Sequence, residues 1–83
     1  MNITLRYFAS LREALGTGIE PWSTHAVTLA DLRAELVARG GAYADALASQ
    51  RVVRMALNQV MAEPDAALVE GAEVAFFPPV TGG

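Results

Sequence analysis

The two glycines at positions 82 and 83 offer the clearest chemistry in this sequence, because they would end the chain in a main-chain carboxylate. Glycine has no Cβ, so this carboxylate could enter a channel too narrow for any other residue. Gly-Gly at a chain end is also typical of a frayed terminus. Here it follows an apolar strand and two prolines, and that order favours a functional tail. We interpret the Gly83 carboxylate as the reacting group and Gly82 as the residue that gives it clearance.

The tail itself is predicted over residues 78–83, after a folded domain over residues 1–77. Pro78 and Pro79 have no N–H for a sheet ladder, so strand pairing ends there and the backbone continues stiff and extended. At ~3.3–3.6 Å per extended residue, the tail reaches at most roughly 20 Å. We expect its partner-binding residues to be Pro78, Pro79, Val80 and Thr81.

Other functions have little support in the composition. Cysteine is absent, which excludes disulfides, thiolate metal sites and a cysteine nucleophile. His25 is the single histidine and has no second metal ligand at a useful spacing, so we expect no metal site and a solvated loop residue. A net charge of −3 argues against nucleic acid as a partner.

The sequence also lacks the pattern of a membrane span or a signal peptide. No apolar run approaches the ~20 residues of a membrane span, and the first residues alternate between apolar and polar where a signal peptide would be continuously apolar. We therefore expect no membrane association, no signal peptide and a cytoplasmic protein.

The first and last strands are the elements that would position the tail. Residues 2–8 and 73–77 both show strand periodicity, and we expect the two strands to be adjacent and parallel, joined by a crossover that contains a helix. The phase of each strand places Phe8 and Phe77 on the face away from the core. The expected core is Ile3, Leu5, Leu32, Leu36, Val53, Leu57, Val74 and Phe76.

The elements between these two strands follow from local signals. Ser10 and Glu13 form a capping-box pattern, which predicts a short helix that ends at Gly16. Residues 19–23 are predicted to form an edge strand because Pro21 interrupts them. Thr28, with Asp31 three positions on, is predicted to begin the main helix. That helix should end at residues 40–41. A further helical turn is expected over residues 42–47, a strand over 52–58 and a minimal edge strand over 60–61.

Three segments of this sequence resemble the MoaD family, the small subunits of molybdopterin synthase. They are Tyr-Phe-Ala-Ser-Leu-Arg-Glu at 7–13, Leu-Asn-Gln at 57–59 and Glu-Val-Ala-Phe-Phe-Pro-Pro-Val-Thr-Gly-Gly at 73–83. The order of elements likewise resembles the ubiquitin-like β-grasp fold, an α+β class with one main helix packed across a mixed sheet. One departure is Ala72, where the family usually has aspartate; we expect it to affect only the stability of a turn.

This resemblance implies a sulfur carrier that is not catalytic alone and binds no cofactor tightly. An E1-like adenylating enzyme would use ATP to join Gly83 to AMP, and sulfur from a persulfide donor would displace AMP. The product is a thiocarboxylate, 1-thioglycine at Gly83. This group would donate sulfur to cyclic pyranopterin monophosphate and so form the molybdopterin dithiolene. The resemblance also implies that the reaction would take place with the large catalytic subunit, in a heterotetramer.

The partner surface is predicted from strand phase. Phe8 and Phe77 should form an apolar patch beside the start of the tail, with Ala56, Ala75 and Met61 nearby. We expect this patch to bind the large subunit, and the adenylating enzyme to use an overlapping surface. Three alternatives stay open, namely a thiamine-pathway sulfur carrier, a protein modifier of the ubiquitin type and an interaction domain with an inert tail.

Overall fold

The fold consists of one mixed sheet and three helices. The computed structural model describes residues 1–79. The strands are β1 (Asn2–Tyr7), β2 (Ile19–Ser23), β3 (Arg54–Leu57), β4 (Val60–Ala62) and β5 (Glu73–Phe77). The helices are α1 (Ala9–Leu15), α2 (Leu29–Val37) and α3 (Gly41–Ala46). The strand order is β2-β1-β5-β3-β4, so β2 and β4 are the two edges. Among the described residues, no helix has the length and apolar character that crossing a membrane requires.

β1 and β5 are adjacent and parallel, which confirms the central prediction of the fold. Leu5 is in register with Val74, and Tyr7 with Phe76. β5 is antiparallel to β3, and β1 is antiparallel to β2. Pro21 lies on β2, an edge strand, where its missing N–H costs no ladder hydrogen bond, as predicted.

The core lies between the sheet and the helices. Six of the eight predicted core residues are buried, at 4% exposure or less: Ile3, Leu5, Leu32, Leu36, Val74 and Phe76. The prediction was wrong for Val53 and Leu57, which are only partly buried against the core cluster. Strand β3 begins at Arg54 and ends at Leu57, so Val53 precedes it and Leu57 is next to a turn. Each of these residues therefore lies at the margin of the part of the sheet that the helices cover.

The start of α1 differs from the predicted capping box. Phe8 occupies the N-cap position and its side chain makes no capping hydrogen bond. Its N–H still donates to the carbonyl of Phe76 (3.2 Å), so β1 stays bonded to β5 up to the residue before the helix. The chain then turns through Ala9, whose φ is 52°, and Ser10 falls inside the helix. The end of α1 at Gly16, with φ 75°, confirms the prediction.

The capping box predicted for α2 is present. The Asp31 N–H donates to Thr28 Oγ1 (3.2 Å), and the Thr28 N–H donates to Asp31 Oδ2 (3.3 Å). The helix ends at Val37, slightly before the predicted glycines, and α3 follows as the expected further helical turn. Ala72 closes a turn, because its N–H donates to the carbonyl of Val69 (3.1 Å), and it is also 1% exposed against the core. Its effect on the stability of this turn stays a prediction.

A polar network that the sequence did not reveal ties β2 to the helices. The carboxylate of Glu20 accepts hydrogen bonds from the hydroxyls of Tyr7 (2.9 Å) and Tyr43 (2.7 Å) and from Nη1 of Arg39 (3.2 Å). Burial alone would raise the pKa of Glu20, but the hydrogen bonds from Tyr43, Tyr7 and Arg39 outweigh it and hold this pKa below its usual value. Burial, reinforced by the bond to Glu20, raises the pKa of Tyr7 well above that of free tyrosine. The network is therefore most stable with the carboxylate ionised and the phenols protonated.

Candidate functional site

Two stacked phenylalanines mark the face of the sheet opposite the helices. Residue 8 directly follows β1, and the parallel register that pairs Tyr7 with Phe76 makes Phe8 the neighbour of Phe77. Their ring centroids are 4.7 Å apart and the ring planes differ by 7°. Both side chains are half-buried, so each keeps an accessible surface. The structure thus brings together the two aromatic residues that strand phase predicted.

The floor and rim of this surface come from β3, β4 and β5. Ala56 and Ala75 are paired across β3 and β5. They are only 3% and 7% exposed, so larger neighbouring side chains cover these two small residues at the base of the surface. Met61, opposite Ala56 on the edge strand, is 54% exposed. Together these strands and the start of α1 form an open groove of about 760 Å³, which we call the aromatic groove. It is lined by Phe8, Ala9, Ser10, Arg54, Met61, Phe77, Pro78 and Pro79.

Two arginines of the outer face stand in different electrostatic environments. The guanidinium of Arg6 lies 5.4 Å from the ring centroid of Phe8, and its Nη1 is 3.4 Å from Oε1 of Glu73. Arg54 is in register with Phe77 across β3 and β5, and it is exposed. Neither of the two ion pairs within residues 1–79 includes Arg54. Arg6, next to the aromatic groove, is therefore ion-paired, whereas Arg54, which lines the groove, has no ion pair within residues 1–79.

The tail starts at the boundary between two grooves. Pro78 is half-buried and Pro79 is exposed, and both line the aromatic groove and also a second groove of about 560 Å³. The second groove lies between α1, α3 and the segment before β3, and Arg51 is among its lining residues. Of the predicted site residues, the structure brings together Phe8, Met61, Phe77, Pro78 and Pro79. Val80, Thr81, Gly82 and Gly83 lie outside the described residues.

A clamp that shapes the second groove was missed at the sequence level. Arg33 on α2 donates from Nε to the carbonyl of Leu47 (2.8 Å) and from Nη2 to the carbonyls of Ala48 (2.6 Å) and Arg51 (2.7 Å). Burial lowers the pKa of Arg33. The acceptors are main-chain atoms 14 to 18 residues away, so no side-chain pattern in the sequence points to them. The clamp fixes the loop that leads from α3 into β3.

The residues of the aromatic groove suit binding and supply no catalytic constellation. They are apolar apart from Ser10 and Arg54, and within residues 1–79 no cluster of three histidine, cysteine or carboxylate side chains could hold a metal. His25 is exposed in a loop, as predicted. This surface can therefore make an apolar, shape-specific contact with another protein beside the start of the tail.

Comparison with known proteins places the chain in a family. Residues 5–83 match the sequence profile of the ThiS family. The chain is similar to the molybdopterin synthase sulfur carrier subunit of Escherichia coli (strain K12), with 38% identity over 81 residues, 98% of this chain and 99% of the relative. It is also similar in structure to SAMP1, small archaeal modifier protein 1, from Haloferax volcanii, with a TM-score of 0.78, 27% identity and full coverage of both chains.

A second solved structure comes from an assembly. The chain is similar to a protein in the complex of subunits 1 and 2 of molybdopterin-converting factor from Helicobacter pylori 26695, with a TM-score of 0.67, 27% identity and full coverage of both chains. The profile and the Escherichia coli relative each cover nearly all of the chain. The chain therefore belongs to the ThiS family and to the family of molybdopterin synthase sulfur carrier subunits, as its motifs indicated.

Proposed function

We propose that this chain is the sulfur carrier subunit of a molybdopterin synthase and that Gly83 is the residue that carries the sulfur. The observation that carries this proposal is that Pro78 and Pro79 line the aromatic groove and also begin the Gly-Gly tail. A protein that binds in the groove therefore meets the tail at a fixed starting point. The 38% identity with a carrier subunit over nearly the full chain supports the same function.

The partner proposed for the groove is the large catalytic subunit. The Helicobacter pylori structure is a complex of subunits 1 and 2 of molybdopterin-converting factor, and this chain covers the whole of its matched protein. Phe8, Phe77 and Met61 would insert as apolar anchors, and the synthase would be a heterotetramer. The adenylating enzyme would use an overlapping surface, so the two partners exclude each other. Because the reaction consumes ATP, we place it in the cytoplasm.

The first chemical task is activation of the Gly83 carboxylate. With a pKa near ~3.5 it is ionised at neutral pH and is a poor electrophile. Its oxygen attacks the α-phosphorus of ATP, pyrophosphate leaves, and an acyl adenylate forms on the partner enzyme. A persulfide sulfur then attacks the Gly83 carbonyl carbon, and AMP leaves. A thiol reduces the resulting acyl disulfide, which releases the thiocarboxylate and forms a disulfide with the donor.

The second task is delivery of sulfur to the pterin precursor. The thiocarboxylate sulfur is a stronger nucleophile than the oxygen it replaces, so it can attack the precursor and form a carbon–sulfur bond. Water then cleaves the bond between this sulfur and the Gly83 carbonyl carbon, which leaves the sulfur on the pterin and restores the Gly83 carboxylate. Two such deliveries supply the two sulfurs of the dithiolene. Docking in the aromatic groove supplies the positioning, because reacting atoms must approach within about 3–3.5 Å. Gly82 keeps the channel clear, since a Cβ there would add bulk and restrict φ. This chain holds no cofactor of its own in the scheme.

A mass measurement tests the carrier function. The purified chain is incubated with the adenylating enzyme, ATP, a persulfide donor and a thiol, and its C-terminal peptide is analysed by mass spectrometry. We expect the mass change of one oxygen-to-sulfur exchange, assigned to Gly83. The Gly82→Ala variant should form the product more slowly while binding its partners normally. No exchange in the wild-type chain, under conditions in which a known carrier is converted, would refute the proposal.

A protein modifier is the second candidate, because SAMP1 matches the whole chain in fold. A modifier would form isopeptide bonds between Gly83 and lysines of other proteins, and tagged protein would appear in covalent ladders in cell extract. A thiamine-pathway carrier would instead co-purify with a thiazole-forming enzyme. An inert domain would show neither ladders nor sulfur exchange. The sulfur exchange together with co-purification of the large subunit separates the proposed function from all three.

A further inference from the structure

Arg54 places a positive charge at the rim of an otherwise apolar surface. It lies opposite Phe77 across β3 and β5, and it lines the aromatic groove with Met61 and Phe8. We propose that Arg54 is a specificity residue that pairs with a carboxylate of the large subunit when that subunit covers the groove. The inference rests on the proposed function, because it takes the large subunit as the protein that binds there.

The contrast with Arg6 shows why a partner carboxylate is needed. Arg6 already has Glu73 at 3.4 Å and the ring of Phe8 beneath it, so it can be covered as part of a neutral pair. Arg54 has no such pair within residues 1–79. Its neighbour toward β4 is Glu63, which follows Ala62, and that carboxylate is exposed and forms no ion pair with it.

Docking over Phe77 and Met61 would remove water from the Arg54 guanidinium. An arginine that loses water without gaining an acceptor weakens a complex, whereas a carboxylate in bidentate geometry compensates for the loss. The guanidinium fork also restricts the angle at which a carboxylate can approach, so the pair would set the orientation of the docked subunit. A partner with a neutral or basic residue at this position would be rejected.

The test is the dissociation constant for the purified large subunit, measured by calorimetry at low and high salt. Arg54→Met keeps much of the apolar stem and removes the charge, and Arg54→Glu reverses the charge. Arg51→Glu is the matched control, because it changes the net charge equally but lies in the second groove. We expect Arg54→Glu to weaken binding at least ~30-fold, Arg54→Met to weaken it less, and Arg51→Glu to have an effect within ~3-fold. The wild-type complex should lose more affinity with salt than the Arg54→Met complex.

The source of the carboxylate is tested with a chain whose Gly83 carboxylate is converted to an amide. If the carboxylate belongs to the large subunit, the Arg54 effects persist in the amidated chain, and an acid-to-arginine change on the large subunit restores binding of Arg54→Glu. Loss of the Arg54 effects on amidation would show that the chain's own terminus is the partner, and would overturn the inference.

Two other results distinguish this inference from the function on which it rests. Equal or tighter binding by Arg54→Met, or equal losses for Arg54→Glu and Arg51→Glu, would overturn the inference while the carrier function stands. A wild-type chain that does not bind the large subunit would overturn both.

Discussion

Replacing Phe77 by alanine tests whether the outer face of the sheet is a binding surface or part of the folding core. The chain provides a matched control in the preceding residue, because Phe76 and Phe77 are neighbours on β5 with opposite orientations. Phe76 is 0% exposed and stacks on Tyr7, with ring centroids 5.7 Å apart. Phe77 is half-buried and stacks on Phe8. The two substitutions remove the same side chain from the two faces of one strand.

The magnitudes follow from these two environments. Complete removal of a buried phenylalanine costs ~3–5 kcal/mol of unfolding free energy, which is the value expected for Phe76→Ala. Phe77→Ala loses an aromatic stack worth about 0.5–1.5 kcal/mol and the burial of part of one ring, for a total of roughly 1–2 kcal/mol. In binding, an aromatic anchor that is desolvated at an interface contributes at least ~2 kcal/mol, so Phe77→Ala should raise the dissociation constant about 30-fold or more.

The assay is urea denaturation of both variants, with calorimetric titration of the folded Phe77→Ala protein against the large subunit and, separately, the adenylating enzyme. We expect Phe77→Ala to fold, to lose modest stability and to bind both partners weakly. A loss of stability equal to that of Phe76→Ala would place Phe77 in the core. Unchanged affinity for both partners would show that the aromatic groove does not bind either of them.

Two further predictions concern stability. Leu36→Ala should cost ~2–5 kcal/mol in urea denaturation, because Leu36 is 0% exposed in the centre of the core; a cost below ~1 kcal/mol would contradict this packing. The folded state holds the pKa of Glu20 below its unfolded value of 4.5. The ionised Glu20 carboxylate therefore adds to the free energy of unfolding above pH 4.5, and this contribution is lost as pH falls through the folded pKa. Glu20→Gln should therefore lower stability at neutral pH and flatten the acid limb of the stability curve, and an unchanged acid limb would show that the network contributes nothing.

Much of the fold could be predicted because the local signals agree with the tertiary structure. The alternation in β1 and β5 identified the buried side of each strand, and a parallel pair then made Phe8 and Phe77 neighbours. The Thr28 capping box involves residues only three positions apart, so sequence alone could identify it. The same is true of Gly16, which ends α1 in the left-handed conformation.

The remaining features depend on contacts that are distant in sequence. Ser10 matched a capping pattern, but the bond from the Phe8 N–H to β5 set where α1 begins. Val53 and Leu57 matched strand phase, but the short span of β3 left them at the margin of the core. The different environments of Arg6 and Arg54 arise from pairing with Glu73 on another strand, and a polar residue on an outer face gives no sign of whether it is paired.

The central claim is that sulfur travels on the main-chain terminus of this chain. Its most direct test uses a thiocarboxylated chain with isotopically labelled sulfur, mixed with the large subunit and the pterin precursor in the absence of any other sulfur source. We expect the label to appear in the dithiolene of the product. We also expect the Gly83-deleted chain to bind the large subunit and form no dithiolene, because the tail is then shorter by ~3.5 Å. Dithiolene formation by the Gly83-deleted chain, or unlabelled product from the labelled one, would contradict the account.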